Sequence, residues 1–477
     1  MKKVLLFLAG FILIIKSAGY GQDTTKTRYN LQQCIETAIA NNPSVIQTAF
    51  QTDFSKVGLQ QARGTALPFI NGNIIHGINQ GRSIDPYTNS YIDQQNTFGN
   101  YSLNASINLW NGFSTQNNIQ SNKLNYEASQ MDLQQSKDNL TINVILAYLQ
   151  ILSTEEQLAN LKEQQVVTSR QVERLKLLND EGAITPSTLY DLRGQLANDE
   201  LNAVNEKNLL ESAKLNLAQL MNIDYSDSMH VAKLSVSNTP VLYDATSDQI
   251  FQLALQNLSV IKAADLRKQS AEFAVKSAKG ATLPMLSLGA GIFTNYSSTA
   301  SISQLVGTSD VASDNYVLFN SNKLPVYAPQ STYENQKISY GSQWKNNFNS
   351  SINLALQIPI LNGLQAKSRI RQAKITERED DFNAKTSRIL LKQNIQQAYL
   401  NMQAAFLRLQ TLDTQVKDFE ESFRAAEIKF NAGVGSSVDY LIAKNNYTTT
   451  NTNLISAKYD YLLRTKILDY YQGKSLW

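Results

Sequence analysis

The chain holds one cysteine, two histidines and nine prolines in 477 residues, and each scarcity removes an explanation. A lone cysteine, Cys34, offers no disulfide within the chain and no thiolate cluster for a metal; it reads as a small hydrophobe on the first helix. His76 and His230 stand far apart without metal-ligand spacing, so no metal site and no cofactor are expected. Gly289-Ala290-Gly291 falls within a strand pattern and opens no helix, which excludes a phosphate loop. Glu377-Arg378-Glu379-Asp380 reads as a solvated helix face, and nothing here assembles an enzyme's site. Charge of one sign is also missing: 43 basic residues meet 40 acidic ones, so the basic face that nucleic acid requires is absent.

Long apolar runs are missing too. Val4 to Ile15, after Lys2 and Lys3 and before the small residues Ser17 to Gly21, is too short to span a bilayer. Residues 1–21 read as a cleaved signal peptide, with Gln22 the expected new start. Cys34 lies too far on to carry a lipid, so no lipidation is expected. With no helical span downstream, a bilayer crossing has to be a closed barrel.

What the chain does have, it has twice. Ala62 to Pro68 recurs as Ala278 to Pro284, 216 residues on, and Ile35 and Asn41 recur at the same spacing as Phe251 and Asn257. Beyond one variable segment the spacing becomes 251: Asn111-Gly112 recurs as Asn362-Gly363, Tyr148 as Tyr399, Gly182 as Gly433. Such duplication marks structural units stacked in one assembly. The expected organisation is a first repeat over 22–235 and a second over 236–477, with residues 222–247, including Pro240, as the joint.

Each repeat opens with a helix pattern, broken in the first by Asn42-Pro43, where asparagine caps and proline restarts the helix. Past Pro68 the period changes to two. Over Phe98 to Trp110, Tyr101, Leu103, Ala105, Ile107 and Leu109 share one face; Asn100, Ser102, Asn104, Ser106 and Asn108 share the other. Over Asn349 to Ile360 the apolar face is Ile352, Leu354, Leu356, Ile358 and Ile360, opposite Asn349, Ser351, Asn353 and Gln357. Partner strands are expected over Phe69–Gln80 and Met285–Asn295, giving strand pairs at about 68–110 and 284–361. An apolar face for lipid and a small polar face for water is the pattern of a membrane barrel, so those Asn, Ser and Gln residues are expected to line a lumen. Polar connections over Gly81–Thr97 and Ser297–Gln343 absorb the length difference between the repeats and are placed outside the cell. Tyr87, Tyr91, Phe98, Tyr340, Trp344 and Phe348 are candidates for an interfacial girdle.

After each Asn-Gly a helix free of proline and glycine begins, in the first repeat from Phe113 to about Asp180, roughly 100 Å long. Leu140, Val144, Ala147, Ile151, Leu158 and Leu161 form a coiled-coil seam, matched by Leu391, Ile395, Ala398, Met402, Ala405, Leu409 and Leu412. Gly182-Ala183 and Gly433-Val434 turn the chain into return helices over 187–221 and 438–472. Four strands cannot close a barrel, since about eight is the lower limit, so several copies must share one. Three copies give twelve strands.

These duplicated motifs resemble the outer-membrane efflux protein family, the TolC-like channels. The fold expected is a mixed, mainly α membrane protein with long coiled-coil hairpins and four transmembrane strands per chain in a trimeric twelve-strand barrel. The resemblance implies a homotrimer in outer-membrane lipid with a periplasmic tunnel. That tunnel docks, through the tips at Gly182, Ala183, Gly433 and Val434, on a periplasmic adaptor and through it on an inner-membrane transporter. It implies a tripartite efflux or type I secretion role, with Asp439 at a pore constriction; a helix-start acid favoured by the dipole is the plain alternative for Asp439. The next acid of the family pattern is Ile442 here. A structural or adhesive coiled-coil envelope protein is the competing class; it accounts for the helices and leaves the strand pairs unexplained.

Overall fold

The computed structural model describes residues 28–84, 89–93, 95–234 and 241–474. The expected signal peptide, Tyr87, Pro240 and the Leu476-Trp477 end lie outside them. Two compact units emerge. One holds the described residues up to Phe54, then Glu127–Leu266 and Asp381 onward; the other holds Ser55–Tyr126 and Arg267–Asp380.

The chain starts with β1 (Arg28–Tyr29), α1 (Leu31–Asn41) and α2 (Pro43–Gly64). Asn30 caps α1: its Oδ1 accepts from the Gln33 N–H at 2.7 Å, and Gln33 Oε1 accepts from the Asn30 N–H at 3.0 Å. The helix stops at Asn42, held extended by the following proline, and Pro43 begins α2 as expected. Next come β2 (Phe69–Asn79), the short β3 (Arg82–Ile84) and β4 (Tyr91–Asp93), and β5 (Asn96–Trp110). Helices α3 (Ser114–Asp180) and α4 (Pro186–Met221) follow, then β6 (His230–Val231), which pairs in parallel with β1.

The second half runs α5 (Ser247–Asn257), α6 (Ser259–Gly280), β7 (Met285–Ser297), β8 (Ser301–Phe319), β9 (Asn322–Lys337), α7 (Tyr340–Asn346), β10 (Asn349–Gln357), α8 (Gln365–Asn431) and α9 (Ser437–Gln472). α3 and α8 each have 67 residues and begin 251 apart; α4 and α9 each have 36 and do the same. A 67-residue helix spans about 100 Å at 1.5 Å per residue. Among the described residues no helix is long and apolar enough to cross a membrane.

The helical unit is held by the expected seams. Leu140, Val144, Ala147, Ile151 and Leu158 are buried with Cys34, Ile35 and Leu217; Leu391, Ile395 and Met402 are buried with Ile250, Ala254 and Leu468. Leu409 and Leu412 close on Ala457.

In the strand unit the two expected pairs are parts of one antiparallel sheet of order β10–β7–β5–β2, joined through β5 and β7. The connection over 297–343 differs from expectation. It is a long hairpin, β8 with β9, followed by α7. Its base is fixed by Gln343, whose Oε1 accepts from the Ser297 N–H and whose Nε2 donates to the Ser297 and Ile338 carbonyls, each at 2.9 Å. The last strand is shorter than expected: β10 ends at Gln357, because Pro359 breaks the ladder, so Ile358 and Ile360 lie beyond it. Leu109 also departs. A register shift between Asn108 and Trp110 puts Trp110, not Leu109, opposite Leu286.

Candidate channel wall and hairpin tips

The cross-strand register turns a one-strand alternation into a surface. Asn71, Asn104, Gly291 and Ser351 form one row across the four strands; Asn73, Ser102, Phe293 and Asn349 form the next. Phe69, Ser106, Gly289 and Asn353 make a third. Asn100, Asn108 and Gln357 share this face by parity. Every polar strand residue singled out in the sequence therefore lies on one side. The glycines make that side work: a Cβ at Gly289 would stand 2.6 Å from Asn353 Oδ1. Only the missing side chain leaves room for the asparagine.

The opposite side carries Ile70, Ile74, Leu103, Ile107, Leu288, Ile292, Ile352 and Leu354. Ile74 is 77% exposed and Ile352 81%, so among the described residues this apolar face has no cover. Contiguous apolar surface of this kind marks contact with lipid or protein. Among the described residues the sheet's two outer strands, β10 and β2, also leave their outer edges unpaired.

Towards the connection end, aromatic groups gather on the apolar side. Tyr340 Oη donates to Tyr101 Oη at 3.0 Å, and Trp344 Nε1 donates to Tyr340 Oη at 3.1 Å. His76 Nδ1 lies 3.2 Å from Tyr101 Oη, and the Tyr296 and Tyr340 ring centres are 4.9 Å apart. Of the girdle candidates, Tyr340 and Trp344 meet in one cluster, and His76, Tyr101 and Tyr296, which were not among the candidates, join them. The parity of His76 with Ile74 and Ile78 was the available signal. Phe98 is elsewhere: it shares the polar face with Asn100 and lies over Gly77, so it is no part of this cluster. Tyr91 is exposed on β4 and Phe348 is exposed just before β10.

The tips belong to the helical unit. Gly182 (φ 70°) and Gly433 (φ 75°) take the left-handed conformation that ends a helix, each N–H returning to a carbonyl three residues back. Ala183 and Val434 are exposed beside them. Below the turns Leu175, Leu189, Leu192, Phe430 and Tyr440 bury one another, the last two rings stacked at 4.8 Å. Arg174 Nη2 donates to the Asn431 carbonyl at 2.6 Å, linking the ends of α3 and α8. Asp439 is exposed in the first turn of α9, its Oδ2 accepting from Ser436 Oγ at 2.8 Å while its N–H donates to that hydroxyl at 3.1 Å. Ile442, in the place of a second acid, is exposed as well.

One buried polar node escaped the sequence altogether. Lys444 of α9 donates to Asp199 Oδ2 of α4; Thr168 Oγ1 of α3 donates to the same oxygen at 2.5 Å, and Gln195 Nε2 to Asp199 Oδ1 at 2.8 Å. Burial pulls the Lys444 ammonium below its ordinary pKa, and the Asp199 carboxylate opposes the shift. Among the described residues no group of His, Cys, Asp and Glu is placed to hold a metal ion.

A family model for outer membrane efflux proteins matches residues 34–222 and again 250–469. The chain belongs to the outer membrane efflux protein family. The outer membrane protein TolC of Vibrio cholerae serotype O1 is 23% identical over 473 residues, covering 97% of this chain and 93% of that one. Among solved structures, CusC superposes with a TM-score of 0.74 at 16% identity, over 93% of this chain and 92% of its own. VceC of Vibrio cholerae gives 0.73 at 14%, over 94% and 97%. Family membership makes this an outer-membrane efflux channel protein and not an enzyme.

Proposed function

We propose that three copies of this chain close a twelve-strand barrel in the outer membrane and pass cargo from the periplasm to the exterior. The observation that carries this reading is the sheet β10–β7–β5–β2. Its apolar face is uncovered and its two edges are open, and in a bilayer every strand edge must be paired. Joining β10 of one copy to β2 of the next removes both edges and turns the apolar face to lipid. The rows of Asn100, Ser102, Asn104, Ser106, Asn108, Asn349, Ser351, Asn353 and Gln357 then line a wet lumen.

The two halves of the chain act as a duplicated unit, six copies of which surround the axis of a trimer. The tips at Gly182, Ala183, Gly433 and Val434 are the surface offered to a periplasmic adaptor, which connects the channel to an inner-membrane transporter in a tripartite efflux or type I secretion system. Asp439, exposed at the start of α9, supplies a ring of three carboxylates at the narrow end.

A structural coiled-coil protein has no use for the sheet, whose apolar face would aggregate in water. Conductance across planar bilayers is the test. Purified protein is expected to give discrete ohmic steps, with Asp439→Ala changing block by divalent cations. A protein that leaves the bilayer silent would contradict the channel, and unchanged block would remove Asp439 from the pore.

A further inference from the structure

β2, β5, β7 and β10 carry no Asp, Glu, Lys or Arg, and no residue from Asn335 to Thr376 is acidic. Against the apolar side of this uncharged sheet lies α7. Thr294 Oγ1 donates to the Trp344 carbonyl at 3.0 Å, Asn347 Nδ2 donates to the Asn295 carbonyl at 2.9 Å, and Gln343 is buried on Ser297. So fixed, the helix still leaves large apolar groups unburied: Trp344 is 42% exposed and Phe348, just past its end, 57%. Among the described residues the first half has no such roof. The places 251 earlier are 89–95, where Tyr91–Asp93 form β4.

Beneath Trp344 and Phe348 the sheet is hollow. Ile74, Leu103 and Ile292 floor an open cavity of about 390 Å³, the size of a small-molecule site. Gly72 contributes to that space, since a Cβ there would find nothing nearer than Leu103 Cδ1 at 3.8 Å. A second hollow, of about 570 Å³, adjoins the first at Leu103 and Ile292. It opens where Ala105 and Ala290 face each other between the bulkier Ile70 and Ile352. Together they make one apolar furrow on the face that the barrel turns outward. At the connection end its rim is polar, through the hydrogen-bonded Tyr101, Tyr340 and Trp344, and basic, through the exposed Lys337 and Lys345.

We propose that this furrow holds an acyl chain of one anionic, phosphate-bearing membrane lipid, seated under Trp344 and Phe348, with Lys337 and Lys345 drawing its headgroup. The inference rests on the reading that the apolar face of the sheet meets lipid. A second copy of the chain is the rival occupant, but it would bring an uncharged sheet to two lysines. A lipid phosphate brings the opposite charge, and basic residues at a membrane surface attract it.

Trp344 can report the site, because a brominated acyl chain quenches an indole that it touches. Trp110→Phe with Trp477→Phe leaves Trp344 the sole tryptophan of the full-length chain. This protein is placed in phosphatidylcholine vesicles doped with brominated phosphatidylglycerol or brominated phosphatidylcholine. Quenching is expected to saturate, reaching half at an about tenfold lower mole fraction of the brominated phosphatidylglycerol. Lys337→Gln with Lys345→Gln removes that difference, and Gly72→Ile, which fills the floor, removes the saturable part. Quenching that is equal for both lipids and simply proportional to their fraction shows bulk contact only and overturns the proposal. An unquenched Trp344 in protein that floats with the vesicles also overturns it, and gives the face to a second copy. Protein that does not float with the vesicles removes the lipid-facing sheet itself, and the proposal with it.

The unaltered chain gives an independent count by native mass spectrometry. After delipidation in detergent and addition of phosphatidylglycerol, one retained lipid per chain is expected, lost in Lys337→Gln with Lys345→Gln. No retained lipid, or retention that ignores the two lysines, counts against the site.

Discussion

Asn104 and Gly291 face each other across β5 and β7, and a Cβ at 291 would stand 3.1 Å from the asparagine Oδ1. The polar wall is thus built from pairs in which one strand gives a side chain and the other gives space. Residues one step along the strand face the other way, and the two faces are expected to respond oppositely to charge. In the proposed barrel Leu103→Arg places a cation in lipid at a cost of about 2–4 kcal/mol near the midplane, and membrane-inserted protein should fall sharply. Asn104→Arg is expected to insert normally and shift ion selectivity towards anions. Reversal potentials and outer-membrane yields read the difference.

The Lys444–Asp199 pair has a stability signature. Lys444→Ala strands a buried carboxylate and is expected to cost about 3–5 kcal/mol, seen as a lowered unfolding temperature. The double change Lys444→Met with Asp199→Leu is expected to be milder than either single change, since no charge is left inside. A double variant as unstable as the sum of the singles would show that the pair does not act as a unit.

Glu206 on α4 is buried, and its Oε1 has no hydrogen-bond partner among the described residues. Burial raises its carboxyl above the usual range, so the folded state holds this proton more tightly than the unfolded chain does. Stability from this group is full below the ordinary carboxylate pKa and is lost as pH rises through the raised one. Glu206→Gln should therefore raise the unfolding temperature at neutral pH, with the gain shrinking as pH falls towards 4.5. A gain of the same size at all pH values would assign the effect to packing.

At the tips, Gly182→Val and Gly433→Val force a branched side chain into a left-handed turn, costing about 1–2 kcal/mol locally. Export is expected to fall while the oligomer stays intact on a native gel. Export at the parental rate would take the turns out of the docking surface.

Much of this architecture was readable in advance, for reasons that can be located. Asn42-Pro43 stops and restarts a helix by local chemistry alone, and Gly182 and Gly433 end helices because glycine takes that φ without a Cβ clash. The Asn/Ser alternation of β5 gave its two faces, since parity survives any register. What stayed hidden depends on distant partners. The β5–β7 junction pairs Gly99 with Tyr296, and nothing local announces it. The bulge at Leu109 is set by that same pairing. The β8–β9 hairpin breaks its alternation where Leu305 and Val306 adjoin and its register slips, so its strands read as a polar connection. Lys444 and Asp199, 245 residues apart, each look like a solvated charge until three helices close on them.

The central claim is that one copy of this chain is an unfinished wall. Its most direct test is the detergent-corrected mass of the purified full-length protein by sedimentation or light scattering. The account predicts three chains in a single species. A stable, monodisperse single chain would contradict it.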